Sequence, residues 1–228
     1  MKRIATLVLI FYPFSSFAGE GVKIEDVKRQ YDEIHTLSSS FTQKTYPKSD
    51  DEVGSASGGS RLSEASRLSK EFKGKFIAER PNKFRMEVTK PEKQILLSDG
   101  KVLWIYLLKE KQAIKTSPEE GLALSVEIFF NPFEVYHVGW LPSANPPKAD
   151  SPKDNKPILE VRPKEEGTLF EKAWVEIHPK TLLIKEIQLF DYEGNRIHYT
   201  FSNLRINQKV KPSTFQFIPP DGVDVVDR

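Results

Sequence analysis

The stretch ERPNKFRMEVTKP, Glu79 to Pro91, decides how the chain is read. With the residues before it, it alternates in period two: Phe76, Ala78, Phe84, Met86 and Val88 share one parity, Lys75, Glu79, Lys83, Arg85 and Glu87 the other. This is a pair of β-strands with one apolar and one polar face, broken at Arg80-Pro81. Arg80 falls on the apolar parity. A guanidinium keeps its proton, and burying it without acceptors is costly. Helix C-termini offer free carbonyls for such a group. Arg80 is therefore expected either to fasten helices over the sheet or to lean out to its rim and pair with Glu79 or Glu87.

Working outward, period-two runs bounded by turn residues give strands at Ser38–Tyr46, Phe72–Arg80, Lys83–Thr89, Gln94–Ser98, Lys101–Leu108 and Gln112–Thr116. Four more follow at Ile158–Arg162, Lys172–Ile177, Leu183–Phe190 and Arg196–Leu204. Asp99-Gly100 marks a hairpin. Ahead of the strands, Ile24, Val27, Tyr31 and Ile34 recur at helical spacing and predict an amphipathic helix over Lys23–Leu37. The segment from Gly121 to Pro142 is apolar on nearly every side and breaks at Asn131-Pro132, which fits one or two short buried helices. Residues 47–70, rich in Ser, Gly and charge, and residues 143–157, rich in Pro and Lys, read as loops.

One helix, many antiparallel strands and a late helical insertion make a sheet curled around helices. Such a sheet is either filled by its own side chains or leaves a cavity for an apolar ligand. Val102–Leu108 is apolar on both strand faces, and the helical insertion adds Phe129, Phe130, Phe133, Tyr136 and Trp140.

The first residues have another origin. Lys2 and Arg3 precede the apolar run Ile4–Phe14, and Ser16-Phe17-Ala18 offers small residues at a cleavage site, so residues 1–18 read as a secretory signal peptide cut after Ala18. The alternative, an uncleaved anchor, would have a run shorter than a membrane span. One domain is expected over residues 19–228. Removing Lys2 and Arg3 takes the formal charge from +2 to zero, which gives no footprint for nucleic acid.

The 228 residues hold no cysteine, so thiol catalysis, disulfides, Cys-based metal sites and a lipidated N-terminal cysteine are all ruled out. His35, His137, His178 and His198 stand in no metal-ligand spacing. No nucleophile-elbow or phosphate-loop pattern occurs, and paired carboxylates such as Asp50-Asp51-Glu52 and Glu165-Glu166 lie in polar segments where solvation explains them. No catalytic residue, metal or cofactor is expected.

An ordered series of motifs resembles the periplasmic outer-membrane lipoprotein carrier (LolA) family: Ser40-Phe41-Thr42-Gln43-Lys44, Arg80-Pro81-Asn82-Lys83-Phe84, Leu97-Ser98-Asp99-Gly100-Lys101 with Trp104 and Tyr106, then FQFIPPDG at Phe215–Gly222. The resemblance implies a mainly β fold, an incomplete, half-open antiparallel β-barrel covered by an α-helical lid and enclosing an apolar cavity. It implies a soluble, monomeric periplasmic chaperone that holds the acyl chains of lipoproteins. An inner-membrane ABC transporter would deliver them and an outer-membrane receptor would take them. It makes Arg80 the latch of the lid. Strand parity and resemblance together name Phe84, Met86, Val88, Leu97, Trp104, Tyr106, Phe129 and Phe133 as cavity residues. The chain departs from the family pattern at Met86, where tryptophan is common, and in its longer 47–70 loop. Two rivals are a sensor of the same fold that detects mislocalised lipids or lipoproteins, and a secreted hydrolase.

Overall fold

The computed structural model describes residues 22–48, 70–118, 127–130, 132–141, 156–165, 168 and 170–228. The expected signal peptide and nearly all of both expected loops lie outside the described residues.

Twelve strands form one sheet. Helix α1 (Ile24–Asp32) leads into β1 (Thr36–Tyr46), followed by β2 (Lys70–Glu79), β3 (Lys83–Lys90), β4 (Gln94–Ser98), β5 (Leu103–Leu107) and β6 (Gln112–Thr116). Two short helices, α2 (Glu127–Phe130) and α3 (Pro132–Val135), form the lid. The second half holds β7 (Tyr136–Trp140), β8 (Ile158–Pro163), β9 (Lys172–Ile177), β10 (Ile184–Phe190) and β11 (Arg196–Ile206). A 3-10 turn at Pro212–Phe215 and β12 (Asp224–Asp227) complete the chain.

The order across the sheet is β12-β6-β5-β4-β3-β2-β1-β11-β10-β9-β8-β7. It is two antiparallel meanders joined through β1, which pairs with β2 on one side and β11 on the other. Only β12 runs parallel to its neighbour, β6. β12 and β7 are separate edges, so the barrel stays open.

The expected strands are present to within a few residues; β12 is an additional strand that the pattern does not predict, and there are two further corrections. The first helix stops at Asp32 because Thr36 and Leu37 are already paired with Glu79 and Ala78 of β2. The end of the helical insertion is a strand: Tyr136, Val138 and Trp140 alternate with His137 and Gly139 and pair with β8. Aromatic and β-branched residues at alternate positions fit a pleated surface, which the all-round apolar composition had hidden.

The core lies on the concave face. Val27 and Tyr31 of α1, Ile34 just beyond its end, and Ile128, Phe129 and Phe130 of α2 are buried against Leu37, Phe41, Phe76, Phe84 and Val88 of the first half and Val161, Val175, Ile187 and Phe201 of the second. Phe129 joins the halves, its ring 4.9 Å from that of Phe76 on β2 and 5.4 Å, edge-on, from that of Phe201 on β11.

Curvature needs close approach at Gly74, which sits at an irregularity in the β2–β3 register, beneath Phe41. A Cβ there would collide with Glu87 O and lie 2.9 Å from the Phe41 ring. Gly74→Ala is expected to lower stability by about 1–3 kcal/mol, the usual cost of overpacking, in urea unfolding followed by circular dichroism. Unchanged stability would mean that the two strands have room to spare.

Candidate functional site

The β2–β3 turn carries Arg80 to one end of the concave face. Its main-chain N–H donates to His35 O at 2.9 Å. Its side chain reaches two helix ends. Nε donates to Ile34 O at 2.6 Å, and Nη2 donates to Tyr31 O at 2.9 Å and to Phe130 O at 2.6 Å. Tyr31 and Ile34 belong to the last turn and exit of α1, and Phe130 closes α2, so the guanidinium meets main-chain carbonyls at the ends of two helices, where Tyr31 O also accepts from Ile34 N at 3.1 Å. Its carbon also lies 5.3 Å from the centre of the Phe130 ring. The rim alternative does not hold, because the Glu79 carboxylate is taken by Lys83 at 2.8 Å and that of Glu87 by Arg85 at 2.6 Å.

The α1 side of this junction is separately fixed. Asn207, with φ 54°, accepts from His35 N at 2.8 Å and donates to Glu33 O at 2.9 Å, while its own N–H donates to Thr36 O at 2.8 Å. The Tyr31 hydroxyl accepts from Ile184 N at 3.0 Å, anchoring the helix to β10. The bond from Arg80 to Phe130 O crosses from this fixed corner to the lid. Burial pushes the phenols of Tyr31 and Tyr199 well above the ordinary tyrosine range, keeping both neutral inside the core.

A small hollow lies where the cavity is expected, among the described residues. Between α1, the lid and the second meander, Val27, Tyr31, Ile128, Phe133, Val138 and Val161 border a hollow with about 10 Å³ of free space, room for roughly one water molecule. Among the expected lining residues, Phe133 alone borders it. Phe84, Met86, Val88 and Phe129 are buried in the concave core beside it.

Leu97, Trp104 and Tyr106 fall elsewhere. Residues directly opposite in an antiparallel pair share a face. Leu97 faces Arg85 and Trp104, whereas Phe84 faces Ser98 and Met86 faces Leu96. The three expected residues therefore line the convex face, beneath the C-terminal segment: the Phe217 ring stands 5.1 Å from Trp104 and 5.5 Å from Tyr106. Arg85 donates to Thr214 O at 3.4 Å, and Lys83 lies 5.9 Å from the Phe215 ring centre. Leu97 and Phe215 are both buried there. Because β4 and β5 are apolar on both parities, parity alone could not choose between the faces.

The sequence reading also missed the hollow's far wall. Leu159, Val161, Val175, Ile177 and Ile184 come from second-meander strands whose alternation was recognised but never assigned a side. It missed Lys164 as well. That side chain donates to Phe133 O at 3.1 Å and Glu134 O at 2.6 Å, at the end of α3.

Residues 60–218 match the family model described as outer membrane lipoprotein carrier protein LolA, and the chain belongs to that family. It is 32% identical over 164 residues to an outer-membrane lipoprotein carrier protein from Chromobacterium violaceum, covering 68% of this chain and 72% of the relative. It is 26% identical over 227 residues to one from Nitrosospira multiformis, covering 96% and 95%. A crystal structure of an uncharacterized conserved protein from Thermus thermophilus shares the fold, with TM-score 0.51 and 13% identity, over 90% of this chain and 98% of that one.

Replacing Trp104 by Ala opens the convex cluster and leaves the concave face intact. Thermal unfolding should show a loss of about 2 kcal/mol, since the ring is only partly buried. Binding of an apolar dye in the interior should be unchanged, and a parallel loss of dye binding would put Trp104 back in the cavity.

Proposed function

We propose that the chain is a periplasmic carrier of lipoproteins, exported by the leader ending at Ala18 and working as one domain over residues 19–228. The acyl chains of a lipoprotein displace the lid and lodge between it and the concave face, in contact with Phe84, Met86 and Val88 of the sheet and with Phe129 and Phe133 of the lid. An inner-membrane ABC transporter supplies the cargo and an outer-membrane receptor accepts it. No chemical step is assigned. The relatives' names and the family support this reading.

The observation that carries it is the hydrogen bond from Arg80 to Phe130 O, a polar fastening at the edge of an apolar interior. Each buried CH₂ contributes about 0.8 kcal/mol, so a few acyl chains suffice to outweigh a lid held by contacts of this kind. The described hollow has about 10 Å³ free, so acyl chains enter it by moving the lid. A fastening made of a few directional bonds can break without disturbing the sheet, and Arg80 keeps its α1 acceptors when it does. Passage to the receptor then follows from tighter binding at the next site.

Arg80→Leu removes the fastening and lowers the cost of opening. A charged hydrogen bond is worth about 1.5 kcal/mol, so binding of acylated cargo should tighten about tenfold. Native mass spectrometry of protein purified from periplasm, wild type beside Arg80→Leu, measures this as the fraction carrying lipoprotein or lipid. Equal occupancy would leave Arg80 a purely structural residue. Absence of acylated species from both, even after incubation with a lipoprotein, would overturn the carrier reading.

A further inference from the structure

We infer that the lid has a second, independent fastening at Lys164, and that this contact governs the opening of α3 as Arg80 governs that of α2. It rests on the reading that the lid opens for cargo. A four-residue helix such as α3 leaves its C-terminal carbonyls unpaired within the helix. Residue 164, just beyond the end of β8, meets those carbonyls in succession. Its ammonium donates to Phe133 O at 3.1 Å and Glu134 O at 2.6 Å, and its main-chain N–H donates to Val135 O at 3.4 Å. A cation at a helix C-terminus is favourable both as a cap and against the dipole.

The two fastenings sit on different halves of the sheet. Arg80 leaves the β2–β3 turn and holds the end of α2, whereas Lys164 leaves β8 and holds the end of α3. They also differ in character. Arg80 is partly buried and meets the carbonyls of two helices, while Lys164 is exposed and meets one. The Lys164 contact competes with water and is the weaker of the two. Phe133 links it to the interior, since its carbonyl is held by Lys164 and its residue borders the hollow. The α3 side therefore opens first, at the wall formed by the second meander, with Arg80 still holding α2.

The absence of native cysteine makes this measurable. Val161, 1% exposed and bordering the hollow, becomes a reporter as Val161→Cys, whose thiol reacts with a maleimide only when the lid side opens. Leu97→Cys, buried on the convex face, reports general loosening. Lys164→Gln should speed labelling at position 161 about three- to fivefold, the scale of one helix-end cation. Lys164→Arg should restore the original rate, and labelling at position 97 should not change. Release of a bound tripalmitoylated cysteinyl peptide should quicken by a similar factor.

Equal labelling at position 161 with and without Lys164→Gln would overturn the second fastening. So would acceleration at both reporters, which would mean a general loss of stability. Faster labelling at position 161 alone, in a protein that binds none of the peptide, would support the fastening and overturn the carrier reading on which its purpose rests.

Discussion

A guanidinium cannot give up its charge to become compatible with an apolar interior, so whatever surrounds Arg80 has to supply oxygen acceptors. In this fold the acceptors are the last carbonyls of α1 and α2. Both helices end where these carbonyls can meet the arginine, and the end of α1 is held a second time by Asn207. A rigid corner results on the α1 side, and the Arg80 bond to Phe130 O runs from it to the lid. Phe129, wedged between Phe76 and Phe201, supplies the apolar counterpart at the lid's centre. The shut form combines non-directional packing in the middle with directional hydrogen bonds at the edges.

The first meander is packed on both sides, and this separates two tasks within one set of strands. Phe84, Met86 and Val88 face the lid, while Leu97, Trp104 and Tyr106 lie on the opposite face, where the Phe217 ring of the C-terminal segment stands against Trp104 and Tyr106. The second cluster braces the sheet from outside. Where β3 carries Arg85 and Glu87 outward, these charges pair with each other and Arg85 also reaches the tail's Thr214 carbonyl. Polar and apolar contacts thus tie the tail to the same strands.

Much of this could be read from the chain alone. The strands of both meanders, the helical insertion broken at Asn131-Pro132 and the inward arginine all follow from local period and turn chemistry. The strand Tyr136–Trp140 was hidden because its neighbours are apolar too, so alternation lost its contrast. Lys164 was hidden for the opposite reason. In a run of Lys-Glu-Glu, a lysine reads as a solvated charge, and nothing local reveals that a helix ends beside it.

Period two, a cation on the apolar parity and the order of elements by themselves determined an antiparallel curled sheet with helices over one face. These properties arise from residues next to one another, where sterics and alternation act directly. Tertiary structure alone decided which parity of β4 and β5 looks inward, which carbonyls Arg80 meets and how much space remains beneath the lid. The Arg80 bonds join residues 46 to 50 positions apart, and the tail's contact with Arg85 spans 129. At such separations local pattern carries no information about the partner, because the sheet's register and curvature bring the two ends together.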